Sequence, residues 1–129
     1  MEMHSTGELG RVYEAGEWLI RQGESADCMF VIQEGEVEIL KRHGDEHVRL
    51  AVRGSGEIIG EMAIFERQAR SAGVRCLGRV RVLTVDRKNF LRRVHEDPSL
   101  AYRVVQSLSR RVRELSDEIA PFKRTGADQ

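Results

Sequence analysis

The sequence predicts a mainly β chain with α, a β-rich body followed by C-terminal helices, and three observations predict it. From about Arg11 to Asp86 the apolar residues fall in short, β-branched or alternating segments punctuated by glycine. From Arg87 onward the apolar spacing becomes helical, glycine nearly vanishes and arginine becomes frequent. Twelve glycines against two prolines supply the tight turns that many short strands require. At 129 residues the chain can build one domain with a core but not two. The expected organisation is a single domain over 1–129, with the β body at about 11–86, helices at about 87–95 and 98–119, and a frayed tail at 120–129.

Within the body, Glu17-Trp-Leu-Ile-Arg21 is a strand ending at Gln22-Gly-Glu-Ser25. Cys28–Ile32 and Val37–Lys41 flank the turn Gln33-Glu-Gly-Glu36, where Gly35 is free to take a positive φ. Val37 and Ile39 share one face and Glu36 and Glu38 the other, the period-2 pattern of a half-buried strand. His43-Gly-Asp-Glu46 is a hairpin loop before Val48–Val52, and further strands are Ile58–Ile59, Gly73–Leu77 and Val80–Val85. Strands of this length and spacing indicate a sandwich, a roll or a barrel.

The helical part has explicit start signals. Asp86 is an N-cap for the segment beginning at Arg87, with Phe90 and Val94 on one face. Asp97-Pro98 places an N-cap before a proline at the first helical position. The helix that follows carries Ala101, Val105, Leu108, Val112, Leu115 and Ile119, spaced 4-3-4-3-4. That is the seam of a coiled coil and is read as meeting a partner helix, the alternative being a helix packed on its own domain.

Bulk properties narrow the function. Positive and negative side chains balance at 21 each, so no overall field draws the chain to nucleic acid or membrane. Two cysteines, Cys28 and Cys76, each inside an apolar run, read as buried thiols rather than a disulfide scaffold. The N-terminal segment has no apolar stretch, and no run approaches ~18 apolar residues. A soluble, cytoplasmic protein is expected.

The residues with chemistry lie between Gly54 and Gly73. Gly60 ends a strand, and Glu61–Phe65 can form a short helical turn whose amides face an anion that a glycine lets approach closely. Arg70 and Ser71 come just before the next strand and can close over the same spot, a planar guanidinium matching two phosphate oxygens. A carboxylate beside a phosphate is repelled unless it faces hydroxyls, so Glu61 suits a sugar. Taken singly, a Gly-Glu pair is usually a turn and an arginine usually a solvated surface residue.

The ordered frame around these residues resembles the cyclic-nucleotide-binding domain family, in particular its bacterial catabolite-activator sensor domains. The resemblance runs from about Arg11 to Ile119 through Tyr13-Glu-Ala-Gly16, Leu19–Gly23, Asp27–Ile32, Gly35–Ile39, Gly60-Glu-Met-Ala63, Arg70-Ser-Ala72, Phe90 and Asp97-Pro98. It implies a β-roll, a double-stranded β-helix of jelly-roll type, followed by C-terminal helices. It further implies that Gly60 and Ala63 offer amides, Glu61 holds the ribose 2′-hydroxyl, and Arg70 and Ser71 clasp the cyclic phosphate. Ile39, Leu50, Ile59 and Met62 would line the base and sugar, and Arg111 would lie near the ligand.

Departures shape the expected ligand. Ala69 stands where the family often has proline before the arginine, and Gly73 where a bulkier strand residue is common. The long-helix position that gives adenine a hydroxyl in the activators falls on Leu115, with Ser116 beside it, which implies an apolar lid over the base. Guanine-preferring members tend to carry threonine where this chain has Ser71, so cyclic AMP is favoured over cyclic GMP. No recognition helix of a helix-turn-helix is read in the residues after the long helix. The basic residues Arg110, Arg111, Arg113, Lys123 and Arg124 read as a solvated face, without direct DNA binding.

The expected function is a cyclic-nucleotide-sensing regulatory module. Its long helix would swing about His95–Pro98 to cap the base, pair with a second copy into a homodimer, and signal to a downstream protein. The main rival is a degenerate roll that serves only for dimerisation or docking. A metal-binding cupin would need converging histidines; His43 and His47 flank one loop, while His4 and His95 lie far off in sequence. No nucleophile arrangement or triphosphate loop is present, so no metal and no catalysis are expected.

Overall fold

A computed structural model describes residues 10–66 and 68–127, with backbone alone over 119–127. His4, Arg67 and the side chains of Ile119, Lys123 and Arg124 lie outside the described residues. Eight strands run β1 (Arg11–Tyr13), β2 (Trp18–Ile20), β3 (Cys28–Glu34), β4 (Val37–His43), β5 (Glu46–Arg53), β6 (Ile58–Ile59), β7 (Gly73–Cys76) and β8 (Val80–Asp86). Between β6 and β7 sits the short helix α1 (Met62–Phe65); α2 (Arg87–Glu96) and α3 (Ser99–Ala127) follow β8. The strands form two antiparallel four-stranded sheets, in the orders β1-β8-β3-β6 and β2-β7-β4-β5. This is the predicted β-roll with C-terminal helices.

The first sheet is covered on both faces. Phe30, Ile32, Ile59 and Val82 point into the layer between the sheets, where they meet Ile20, Val37 and Val74. Met29, Val31, Leu83 and Val85 point the other way, against Ile64 of α1 and Leu100 and Val104 of α3, with Phe90 and Val94 of α2 packed alongside. Two-sided burial explains why Met29–Ile32 is an uninterrupted apolar run. Cys76 is buried and Cys28 half-buried, both as free thiols.

Both helix starts use the expected caps. The Asp86 carboxylate accepts from the Asn89 amide at 2.8 Å, and that of Asp97 from the Ser99 amide at 3.1 Å. Three features differ from the sequence reading. Helical backbone continues through Pro121 to Ala127, where a tail from 120 was expected. The long helix packs on its own domain through Leu100, Val104 and Leu108, spaced 4-4, while Val105, Val112 and Leu115 of the expected seam stay exposed. Leu108 of the expected seam therefore packs on the helix's own domain, while Val105, Val112 and Leu115 face away from it.

The third difference concerns β4. Glu38 was placed on the solvent face but is buried, its oxygens held by Arg49 (2.9 and 3.1 Å) on β5 and Arg75 (3.0 Å) on β7. Burial alone pushes this carboxyl up, yet the hydrogen bonds and charges of the two arginines prevail and hold it below its ordinary value. A depressed carboxyl adds stability that is present above its unfolded value near 4.5 and is lost as pH falls through the lower folded value. Glu38→Gln is therefore expected to cost about 1–2 kcal/mol at neutral pH. The difference from wild type should vanish in strong acid, as read by urea denaturation at both pH values. An equal difference at both would assign the effect to packing.

Candidate ligand-binding site

The site is built where β6 ends. Gly60 has φ +75°, the left-handed region, and turns the chain from the sheet into α1. A Cβ at Gly60 would stand 2.6 Å from Nη1 of Arg70, so the absence of a side chain there also makes room for the guanidinium. Arg70 is fixed from both sides. Its backbone exchanges hydrogen bonds with the turn after β2, Gly23 N–H to its carbonyl and its own N–H to the Glu24 carbonyl, both at 2.8 Å. Its side chain donates to the carbonyls of Gly60 (3.2 Å) and Cys28 (2.7 Å), with the Phe30 ring 6.0 Å away. A third contact runs from Nη2 to the Cys28 sulfur at 3.8 Å, and the remaining guanidinium donors are not used by these bonds.

A cavity of about 330 Å³ opens beside it, within the range of small-molecule pockets. Ile39, Ile59 and Val74 form its apolar floor. Gly60, Met62 and Ala63 line one wall, and Arg70, Ser71 and Arg111 bring polar groups to the rim. A larger groove of about 580 Å³ lies between Trp18, Arg42 and His47, but its walls mix Arg21 and Arg42 with Glu24 and Asp45 and focus no single charge.

Glu61, expected to hold the ribose, is absent from the cavity lining and stands behind this wall with 0% exposure. Arg111 of α3 reaches it at 2.7 Å, but that contact lacks hydrogen-bond geometry, and neither carboxylate oxygen has a hydrogen-bond partner among the described residues. A buried carboxylate without donors is costly, so this position suits a group that brings hydroxyls. Neighbouring ion pairs tie α3 to the same region: Arg53 to Glu114 at 2.9 Å, and Arg110 to Glu57.

Most of the residues expected from sequence thus converge, and several do not. Ile39, Ile59, Gly60, Met62, Ala63, Arg70, Ser71 and Arg111 share the cavity. Leu50 does not: β4 and β5 slip in register between Ile39 and Leu40, so Leu50 is the extra residue of a bulge and is 55% exposed. Leu115 and Ser116 lie exposed on α3, outside the cavity lining. The Ala63 amide is directed at the Gly60 carbonyl (3.2 Å) within the turn, rather than at the cavity. Sequence reasoning also missed supports. Arg87 donates to the carbonyls of Ile64 (2.9 Å) and Ala63 and so closes the end of α1, and Cys28 anchors Arg70 through its backbone. A carbonyl anchor leaves no signal in residue type. Burial pushes the Cys28 thiol up, against the opposing pull of Arg70, which disfavours a reactive thiolate.

Among the described residues no group of histidine, cysteine and carboxylate side chains is placed to hold a metal, and no helix is long and apolar enough to cross a membrane. The family model described as cyclic nucleotide-binding domain matches residues 10–97. A Rhodopseudomonas palustris protein named for a potassium channel is 37% identical over 114 residues, 88% of this chain and 27% of that protein. The cAMP-activated global transcriptional regulator CRP of Salmonella typhimurium is 30% identical over 109 residues, 83% of this chain and 52% of the regulator. The crystal structure of the Thermus thermophilus catabolite activator protein superposes with a TM-score of 0.76 at 27% identity, covering 88% of this chain and 54% of that one. The chain therefore spans between about a quarter and about half the length of these relatives.

Proposed function

Because the chain belongs to the cyclic nucleotide-binding domain family, we propose that it is a sensing module that takes cyclic AMP, in preference to cyclic GMP, into the cavity between α1 and Arg70–Ser71. One observation carries the reading: a guanidinium anchored at one side of a small cavity and a buried carboxylate lacking hydrogen-bond donors behind the other. A cyclic nucleotide offers an anion for the first and a 2′-hydroxyl for the second. The apolar floor of Ile39, Ile59 and Val74 suits the sugar and base between them.

The signal runs through α3. A ribose hydroxyl at Glu61 competes with Arg111 for the same carboxylate, so ligand changes one of the contacts that hold the helix to the roll. Leu115 and Ser116 then close over the base, and the exposed stripe of Val105, Val112 and Leu115 meets a second copy. The module acts in the cytoplasm by binding, with no catalytic step, no metal and no direct contact to DNA or membrane. Its output passes to a downstream protein.

Thermal unfolding with cyclic AMP, cyclic GMP and a cyclic dinucleotide tests this. Ligand at about 100 times its Kd stabilises by ~2.7 kcal/mol, a rise of roughly 10 °C for a domain of this size. Cyclic AMP should give the largest rise at equal concentration. No rise with any of the three would favour the degenerate roll, whose remaining role is docking through the apolar stripe of α3.

A further inference from the structure

The cationic side chain of Lys41 has no part in the site as described so far. It stands on β4 two residues beyond Ile39, and residues two apart in a strand share a face. Ile39 lines the cavity floor, so Lys41 continues that wall outward past the point where β7 begins, Leu40 pairing with Gly73. There its ammonium donates to the Ser71 carbonyl at 3.0 Å, a bond spanning 30 residues of sequence. Ser71 has no other support from β4, since the ladder between β4 and β7 stops at Gly73. The Arg70 backbone is fixed from the β2 side by Gly23 and Glu24. Lys41 therefore supplies the opposite anchor of the Arg70–Ser71 segment.

We infer that Lys41 is a positioning residue of the phosphate cradle: its ammonium pins the Ser71 peptide and adds a cation beside the Ser71 edge of the cavity, outside its lining. The inference rests on the cyclic-nucleotide reading of this cavity. Two consequences are separable. Pinning the Ser71 carbonyl fixes where that residue's hydroxyl and amide point, which raises affinity without a direct ligand contact. The added charge attracts an anion from solution and makes affinity more sensitive to ionic strength.

Lys41→Met keeps the aliphatic stem and removes the charge; Lys41→Arg keeps both charge and donor. Calorimetry with cyclic AMP at low and at high salt, on wild type and both variants, reads the result. Lys41 is exposed, so both variants should fold, and their melting temperatures without ligand check this. We expect Lys41→Met to weaken binding roughly three- to tenfold at low salt, with a shallower fall in affinity as salt rises, and Lys41→Arg to restore most of both. Wild-type affinity and salt slope in Lys41→Met would overturn the inference, as would a Lys41→Arg protein as weak as Lys41→Met. Failure of the wild-type protein itself to bind any cyclic nucleotide would instead overturn the reading of the cavity on which the inference stands.

Discussion

Arg70→Ala is expected to weaken cyclic AMP binding by roughly 30-fold or more, the largest single loss in the site. Removing one partner of a desolvated charge pair costs ~2–5 kcal/mol, and Arg70 is held in place before ligand arrives. The carbonyls of Gly60 and Cys28 orient its guanidinium from two different strands' ends, so little ordering remains to be done on binding. The variant also removes donors from those two carbonyls, and a modest fall in melting temperature without ligand should accompany the loss. Lysine should not rescue it, because a point charge cannot reach two carbonyls and an anion together. Isothermal calorimetry of wild type, Arg70→Ala and Arg70→Lys decides this; unchanged affinity in Arg70→Ala removes the phosphate role.

Glu61→Gln should follow with a loss of about tenfold to a hundredfold in affinity, and its diagnostic is the ligand rather than the number. A hydrogen bond to a charged group contributes ~1.5–3 kcal/mol, so wild type should discriminate strongly against 2′-deoxy cyclic AMP. In Glu61→Gln that discrimination should largely disappear. The apo protein should change little in stability, since the amide relieves a buried carboxylate without hydrogen bonds but also removes its 2.7 Å ion pair with Arg111. A variant that still separates the two nucleotides as wild type does would place the 2′-hydroxyl elsewhere.

The parts of this molecule legible in its sequence are those set by local periodicity. β3, β4, β8 and the two capped helix starts follow from alternation, apolar runs and the Asp86 and Asp97 signals. What escaped depends on partners distant in the chain. Glu38 reads as a solvent-facing residue until Arg49 and Arg75 are brought to it by pairing on both sides. Leu50 reads as a wall residue until a one-residue slip turns it outward. The 4-3-4-3 spacing of α3 reveals an apolar seam but not that Leu108 within it joins Leu100 and Val104 against the helix's own sheet. For the candidate site, the resemblance to the family is what singles out Gly60, Glu61, Arg70 and Ser71, since taken singly their residue types read as a turn and a surface arginine. The main anchors of Arg70 are the backbone carbonyls of residues 28 and 60, a role that residue type does not reveal.

The burial of Leu100 and Val104 also fixes where the long helix can act as a lever. Rotation about His95–Pro98 would draw both side chains off the first sheet, at roughly 1.5–3 kcal/mol each. A fulcrum beyond Leu108 leaves them seated and breaks only ion pairs: the partly exposed ones of Arg53 and Arg110, which each contribute about 0–1 kcal/mol, and that of Arg111, whose partner Glu61 is buried. The first two turns of α3 thus belong mechanically to the roll, and only the arm after them is cheap to move.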